Sequence, residues 1–185
     1  MSVFGDGLDA AVHKAFTRPA PKSAPAQMRY LVKQLKSTRA VAQMLRISQR
    51  TVERYVKDQI KKPRPDLAAR LEAEVKKRWQ PQIRAKARQK AATTDGIVID
   101  TRARIGYTAP IGTTDEDRLR HLTVALPPRY AARLFNAQEQ GASDQQLQQI
   151  AAEALKEVYF QDSGRRAGQL EEVRLTDIEH LEFDL

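Results

Sequence analysis

The stretch from Thr38 to Lys57 (TRAVAQMLRISQRTVERYVK) constrains the chain more than any other. Val41, Ala42 and Leu45 form a short apolar stripe at helical spacing, and Val52, Tyr55 and Val56 form a second. Arg46, Ile47 and Ser48 interrupt the two, so the pattern predicts two short helices about a tight turn. Ala42 is small enough to let them cross closely, Ile47 fills the corner, and the Ser48 hydroxyl caps the second helix. Gln49, Arg50, Glu53, Arg54 and Lys57 are left on its outer face, with the reach and the donors for phosphates and major-groove base edges. The expectation is a helix-turn-helix with its recognition helix at Gln49–Lys57. One residue opposes it. Arg46 stands where such a turn usually has glycine, and a left-handed backbone there costs a non-glycine residue on the order of 1 kcal/mol.

Charge divides the chain in two. Residues 1–92 carry 22 Lys and Arg against 7 Asp and Glu, whereas residues 93–185 carry 10 against 16. One half is built to sit on a polyanion and the other is not. At 185 residues, 41% of them hydrophobic, there is material for one medium domain or two small ones. The absence of cysteine excludes disulfides, thiolate metal sites and cysteine nucleophiles. No apolar run reaches bilayer length and the first residues lack a secretion-signal pattern, so a cytoplasmic protein is expected.

Along the chain, Asp6–Phe16 predicts a short helix, and the proline-rich Arg18–Pro25 (RPAPKSAP) a linker; residues 1–24 read as a flexible arm. A helix from Pro25 to about Lys36 would brace the helix-turn-helix, with Met28, Leu31, Val32 and Leu35 inward. Asp58–Pro65, with Lys61 and Lys62, reads as a basic loop. Asp66 is placed to cap a helix carrying Leu67, Leu71, Val75 and Trp79, which completes a DNA-binding domain over 25–80. Trp79 continues the apolar stripe and reads as a core plug. Arg84, Lys86, Arg88 and Lys90 form a basic tract, suited equally to phosphate contact or to a solvated linker over 81–96.

From Ile97 the period changes to two. Ile97–Tyr107 predicts a half-buried strand, Thr108–Asp117 a loop, Leu122–Leu126 a second strand, and Val173–Leu175 with Leu181–Leu185 one or two more. Between them lie a helix from about Pro128 to Gln140 and another opened by a Ser143/Gln146 capping box. Tyr159 falls on that helix's apolar stripe and reads as buried. The fold class expected is α+β: an all-α N-terminal helix-turn-helix domain, then a small α+β domain over 97–185 with a few-stranded sheet and two helices.

No catalytic constellation is legible. His13, His121 and His180 lack metal-ligand spacing, and there is no phosphate-cradling glycine loop or readable Ser/His/Asp arrangement. The chain by itself does not read as an enzyme. Thr113 and Thr114, led by Gly112, are hydroxyls on an exposed loop between two expected strands, and Tyr107 lies at the end of a strand. Thr114–Asp117 (TDED) also fits an ordinary helix cap, and on spacing alone the cap reading wins.

Three blocks carry a resemblance: AVAQMLRISQRTVERYVKDQIKKPRPDLA, IDTRARIGYTAPIGTTDEDRLRHLTVALPPRYAARLF and LQQIAAEALKEVYF. With the charge split and the lack of cysteine, the whole chain resembles the terminal proteins that cap linear streptomycete chromosomes and plasmids. The resemblance implies covalent attachment to the 5′ ends of telomeric DNA through a threonine, carried here onto Thr114 with Thr113 second. It implies that this hydroxyl primes DNA synthesis that fills the single-stranded 3′ overhang. It also implies a telomere-binding partner protein, a host DNA polymerase that brings the Mg2+, no cofactor on this chain, and a place in the nucleoid at the DNA ends. DNA contacts are expected from Gln49, Arg50, Arg54, Lys57, Lys61, Lys62, Arg84, Lys86 and Arg88. The alternative is a helix-turn-helix transcriptional regulator whose acidic half dimerises or senses a ligand.

Overall fold

The structure is a computed structural model that describes residues 2–108, 114–160 and 172–185, with only the backbone of residues 114–117. The class is mixed α+β with a helix-rich N-terminal part; among the described residues there are eight α-helices and one three-stranded antiparallel sheet. The chain forms two compact units, one of residues 17–81 and one of residues 1–16 together with 82–185.

The helical unit consists of α2 (Ala24–Leu35), α3 (Thr38–Leu45), α4 (Gln49–Val56) and α5 (Pro65–Arg78). Serine starts three of them. The hydroxyls of Ser23, Ser37 and Ser48 accept from the N–H groups of Ala26, Ala40 and Thr51 and so satisfy donors that a helix start leaves open. The fourth differs from expectation. Proline at the first position of α5 presets the helical φ, no side chain caps it, and Asp66 lies in the first turn, ion-paired with Arg70. Met28, Leu31, Val41, Leu45, Val52 and Leu71 are fully buried at the centre of the unit. Trp79 ends α5 edge-on against Tyr30, ring centroids 4.9 Å apart, and its indole N–H donates to the Arg18 carbonyl at 3.1 Å. Thr17 and Gln80 exchange two hydrogen bonds, so the start of the proline-rich segment is fastened to the chain just after α5.

In the other unit, β1 (Ile97–Thr108) is central, flanked by β2 (Thr114–Leu126) and β3 (Glu172–Asp184) in the order β2-β1-β3. Gly96 leads into β1 at φ 77, and a Cβ there would lie 2.2 Å from the Leu126 carbonyl oxygen, so only glycine fits. Ile97, Ile99, Ala103 and Ile105 line one face of β1 and pack under α7 (Pro128–Glu139) and α8 (Asp144–Val158). The expected capping box at Ser143 and Gln146 is present.

Three expectations are corrected. The first helix, α1 (Val3–Lys14), is no arm: Phe4, Leu8 and Val12 are buried in the same core as Phe183 of β3. Asp144 fastens its start, accepting from Ser2 Oγ at 2.8 Å and from the N–H groups of Val3, Phe4 and Gly5. Residues 81–96 are no linker but α6 (Pro81–Lys90) and a π-helical turn, Ala91–Asp95. The second strand starts at Thr114, not near Leu122, and the last strand is one continuous element with an irregularity opposite Arg102 and Arg104. β2 is an edge strand whose hairpin end carries no apolar alternation, so periodicity misses its first residues.

Candidate nucleic-acid interface

The α3–α4 corner follows from its local chemistry. Arg46 ends α3 in the left-handed conformation, φ 54, the strained position expected from sequence. Ile47 is half-buried against the core, and Ser48 opens α4. Val52 and Tyr55 then face inward, which leaves Arg50, Arg54 and Lys57 at i, i+4 and i+7, exposed on one outer stripe. Among the described residues, no ion pair or hydrogen bond engages these three side chains or those of Lys61 and Lys62. Gln49 behaves differently: its amide donates to Thr38 Oγ1 at 3.1 Å and to Glu53 Oε1 at 3.0 Å, tying the start of α4 to the start of α3.

The same exposure extends to cations that were not singled out as contacts. Lys33, Lys36, Arg39, Arg46 and Arg64 are exposed, and no described partner engages them. Their sequence signal was the charge excess itself. The helical unit holds 17 Lys and Arg against 5 Asp and Glu, and several of those few acids are already paired: Asp58 with Arg29, Asp66 with Arg70, Glu72 with Lys76 and Glu74 with Arg78. An excess of this size beside a short exposed helix can neutralise a run of phosphates.

The tract 84–90 splits by face. Lys86 is exposed, but Arg84 and Arg88, one turn apart, turn inward with only 16% and 19% of their side chains exposed. Arg84 pairs with Asp9 of α1 at 2.9 Å. Arg88 pairs with Glu139 at 2.5 Å, donates to Gln138 at 3.0 Å and lies over the Phe135 ring. These two hold the unit together and are not available to DNA. They belong to a different unit from the α4 stripe.

Thr114 is the first residue of β2, its backbone opposite Thr108, so it opens a strand rather than a helical turn. Thr113 lies outside the described residues. Tyr107 is half-buried, its ring edge-on to Phe160. Tyr159, expected inside, is 40% exposed because α8 ends one residue before it.

On the open face of the sheet, His121 and His180 both approach Asp100 Oδ1, at 3.0 and 3.2 Å, and Thr123 donates to its other oxygen. The hydrogen bonds from Thr123 and His121 hold the Asp100 carboxyl below its usual range. Among the described residues no cluster of three His, Asp or Glu could hold a metal ion, and no helix is long and apolar enough to cross a membrane. No protein-family model, no curated protein and no solved structure matches the chain.

Proposed function

We propose that this protein is a DNA-end protein: a helix-turn-helix unit that holds telomeric duplex, and a second unit whose hairpin threonine carries the first nucleotide of a new strand. The observation that carries the DNA-binding part is the unpartnered stripe of Arg50, Arg54 and Lys57 on α4, backed by the buried Val52 and Tyr55. The duplex enters against that helix, with Lys61 and Lys62 reaching flanking phosphates and the start of α3 lying along the backbone. The priming part rests on the resemblance to streptomycete terminal proteins together with the place of Thr114 at the end of the β1–β2 hairpin.

In the reaction, the threonine oxygen attacks the α-phosphorus of a deoxynucleoside triphosphate. A phosphodiester forms, pyrophosphate leaves, and the hydroxyl proton passes to solvent or to a base of the polymerase. The polymerase's own metal ions supply the activation and the charge neutralisation. This chain's task is to present the hydroxyl to the polymerase cleft as a primer end is presented. A telomere-binding partner delivers the protein to the DNA end in the nucleoid.

The test is incorporation of labelled nucleotide into the protein by the host polymerase, with intact mass measured after nuclease digestion of native material. Thr114→Ala should abolish labelling while leaving duplex retention intact; label that persists there and vanishes in Thr113→Ala moves the linkage by one residue. No nucleotide on either threonine, with tight binding to a palindromic duplex, replaces this reading by a transcriptional regulator.

A further inference from the structure

One side chain among the cations of α4 carries the opposite charge. Four of the five acids of the helical unit sit against a cation. Glu53 is the fifth. Among the described residues no cation pairs with it, although Arg50 precedes it by one turn and Lys57 follows it by one, the spacings at which helical ion pairs form. What holds its carboxylate is neutral. The Gln49 amide donates to Glu53 Oε1 at 3.0 Å and to Thr38 Oγ1 at 3.1 Å, so both hydrogens of that amide are spent. Glu53 is half-buried and braced from the start of α3, and its Oε2 has no partner among the described residues.

On a helix that faces a duplex, a carboxylate repels every phosphate it approaches, and so lowers affinity for DNA of arbitrary sequence. It turns favourable only where a base edge offers it a donor. In the major groove guanine presents N7 and O6 and thymine presents O4, all acceptors, and these repel it. The adenine amino group lies beside the N7 acceptor. On cytosine the N4 amino group is the one hydrogen-bonding group of that edge, with no acceptor beside it. An acceptor-only side chain fixed on the groove face therefore favours cytosine and works against the other three bases. The cations Arg50, Arg54 and Lys57 around it serve phosphates whatever the sequence.

We infer that Glu53 is a sequence-reading residue of α4, accepting a hydrogen bond from cytosine N4 in the major groove, with Gln49 as its positioning residue. The inference rests on the duplex-binding reading of α4 and not on the priming step.

Selection of the full chain on a pool of randomised duplexes tests it. The wild type should enrich sites with cytosine at one fixed position. Glu53→Ala should reduce the preference at that position roughly tenfold and keep the rest of the selected sequence. Glu53→Gln should shift that position alone to adenine, whose N6 and N7 match a side-chain amide. A duplex with 2-pyrimidinone in place of that cytosine, which lacks only the amino group, should bind the wild type roughly tenfold more weakly and Glu53→Ala no differently. Gln49→Ala should shrink the cytosine preference at the same position, and an unchanged preference there overturns its positioning role. A Glu53 that only braces the corner would instead weaken all duplexes alike in step with a lower melting temperature. That outcome, or one selected sequence shared by the wild type and both Glu53 variants, overturns the inference and leaves duplex binding standing. A wild-type chain that retains no duplex overturns the duplex reading itself, and this inference with it.

Discussion

At Arg46, φ is 54, a region that the Cβ disfavours by about 1–2 kcal/mol, and the side chain is exposed beside α4. The backbone there is suited to glycine and the proposed DNA contact to a cation. Arg46→Gly should therefore raise the melting temperature by a few degrees, about 0.5 kcal/mol after allowing for a looser unfolded chain, while weakening duplex binding. A calorimetric scan beside a binding titration checks both signs, and a lower melting temperature would show the turn to be unstrained. A second residue, Asp144, sets a pH limit. Burial opposes its ionisation, but the Ser2 hydroxyl and the Gly5, Phe4 and Val3 N–H groups outweigh burial and hold its pKa below the usual value. The unfolded chain thus binds the proton more readily. The stabilisation is complete above the ordinary carboxylate range and drains away as pH falls through the lower folded value. Acid titration of stability should steepen below about pH 4, the ordinary aspartate range, and Asp144→Asn should flatten that limb. An unchanged acid limb in this variant would remove Asp144 as its cause.

Two basic helices show how the same composition leads to opposite uses. On α4 the cations stand opposite Val52 and Tyr55 and find no described partner; on α6 the i, i+4 pair Arg84 and Arg88 meets Asp9 and Glu139. Arg54→Ala should lower duplex affinity by about tenfold and leave the melting temperature within experimental error. Arg84→Ala should do the opposite, destabilising by about 1–3 kcal/mol because it strands part of a half-buried ion pair, with duplex affinity unchanged. Parallel binding and melting curves on the two variants decide it; equal loss of binding in both would return the 84–90 tract to the DNA interface.

The two units have separate cores, one around Met28, Leu45 and Leu71 and one around Leu8, Ile99 and Phe183. Calorimetry should resolve two transitions. Leu45→Ala, at a fully buried site, should lower the first by about 2–5 kcal/mol, and Phe183→Ala should lower the second by a similar amount. A single transition moved by both substitutions would contradict this division. Charge belongs to the same scale. Duplex affinity should fall steeply with salt in a log–log plot, and the slope should shrink by about one for each phosphate-contacting cation removed from the helical unit.

Local physics made much of this protein readable from its chain. The α3–α4 corner, the Ser48 and Ser143 caps, the inward stripe of Met28 and Leu31, and the period-two pattern of β1 depend on neighbours within a few residues. The uneven charge follows from counting alone. What tertiary structure decided is which face a residue turns inward when its partner is far away in sequence. α1 is core rather than arm because Phe183 and Asp144 lie against it, and Arg84 is structural because Asp9 supplies its carboxylate. The early start of β2 comes from pairing with β1 at an open edge, where no buried side imposes alternation. Tyr159 is exposed because α8 stops before it, although its spacing continues the buried stripe. Periodicity reports burial only where one continuous element covers one continuous core; contacts between distant segments assign the rest.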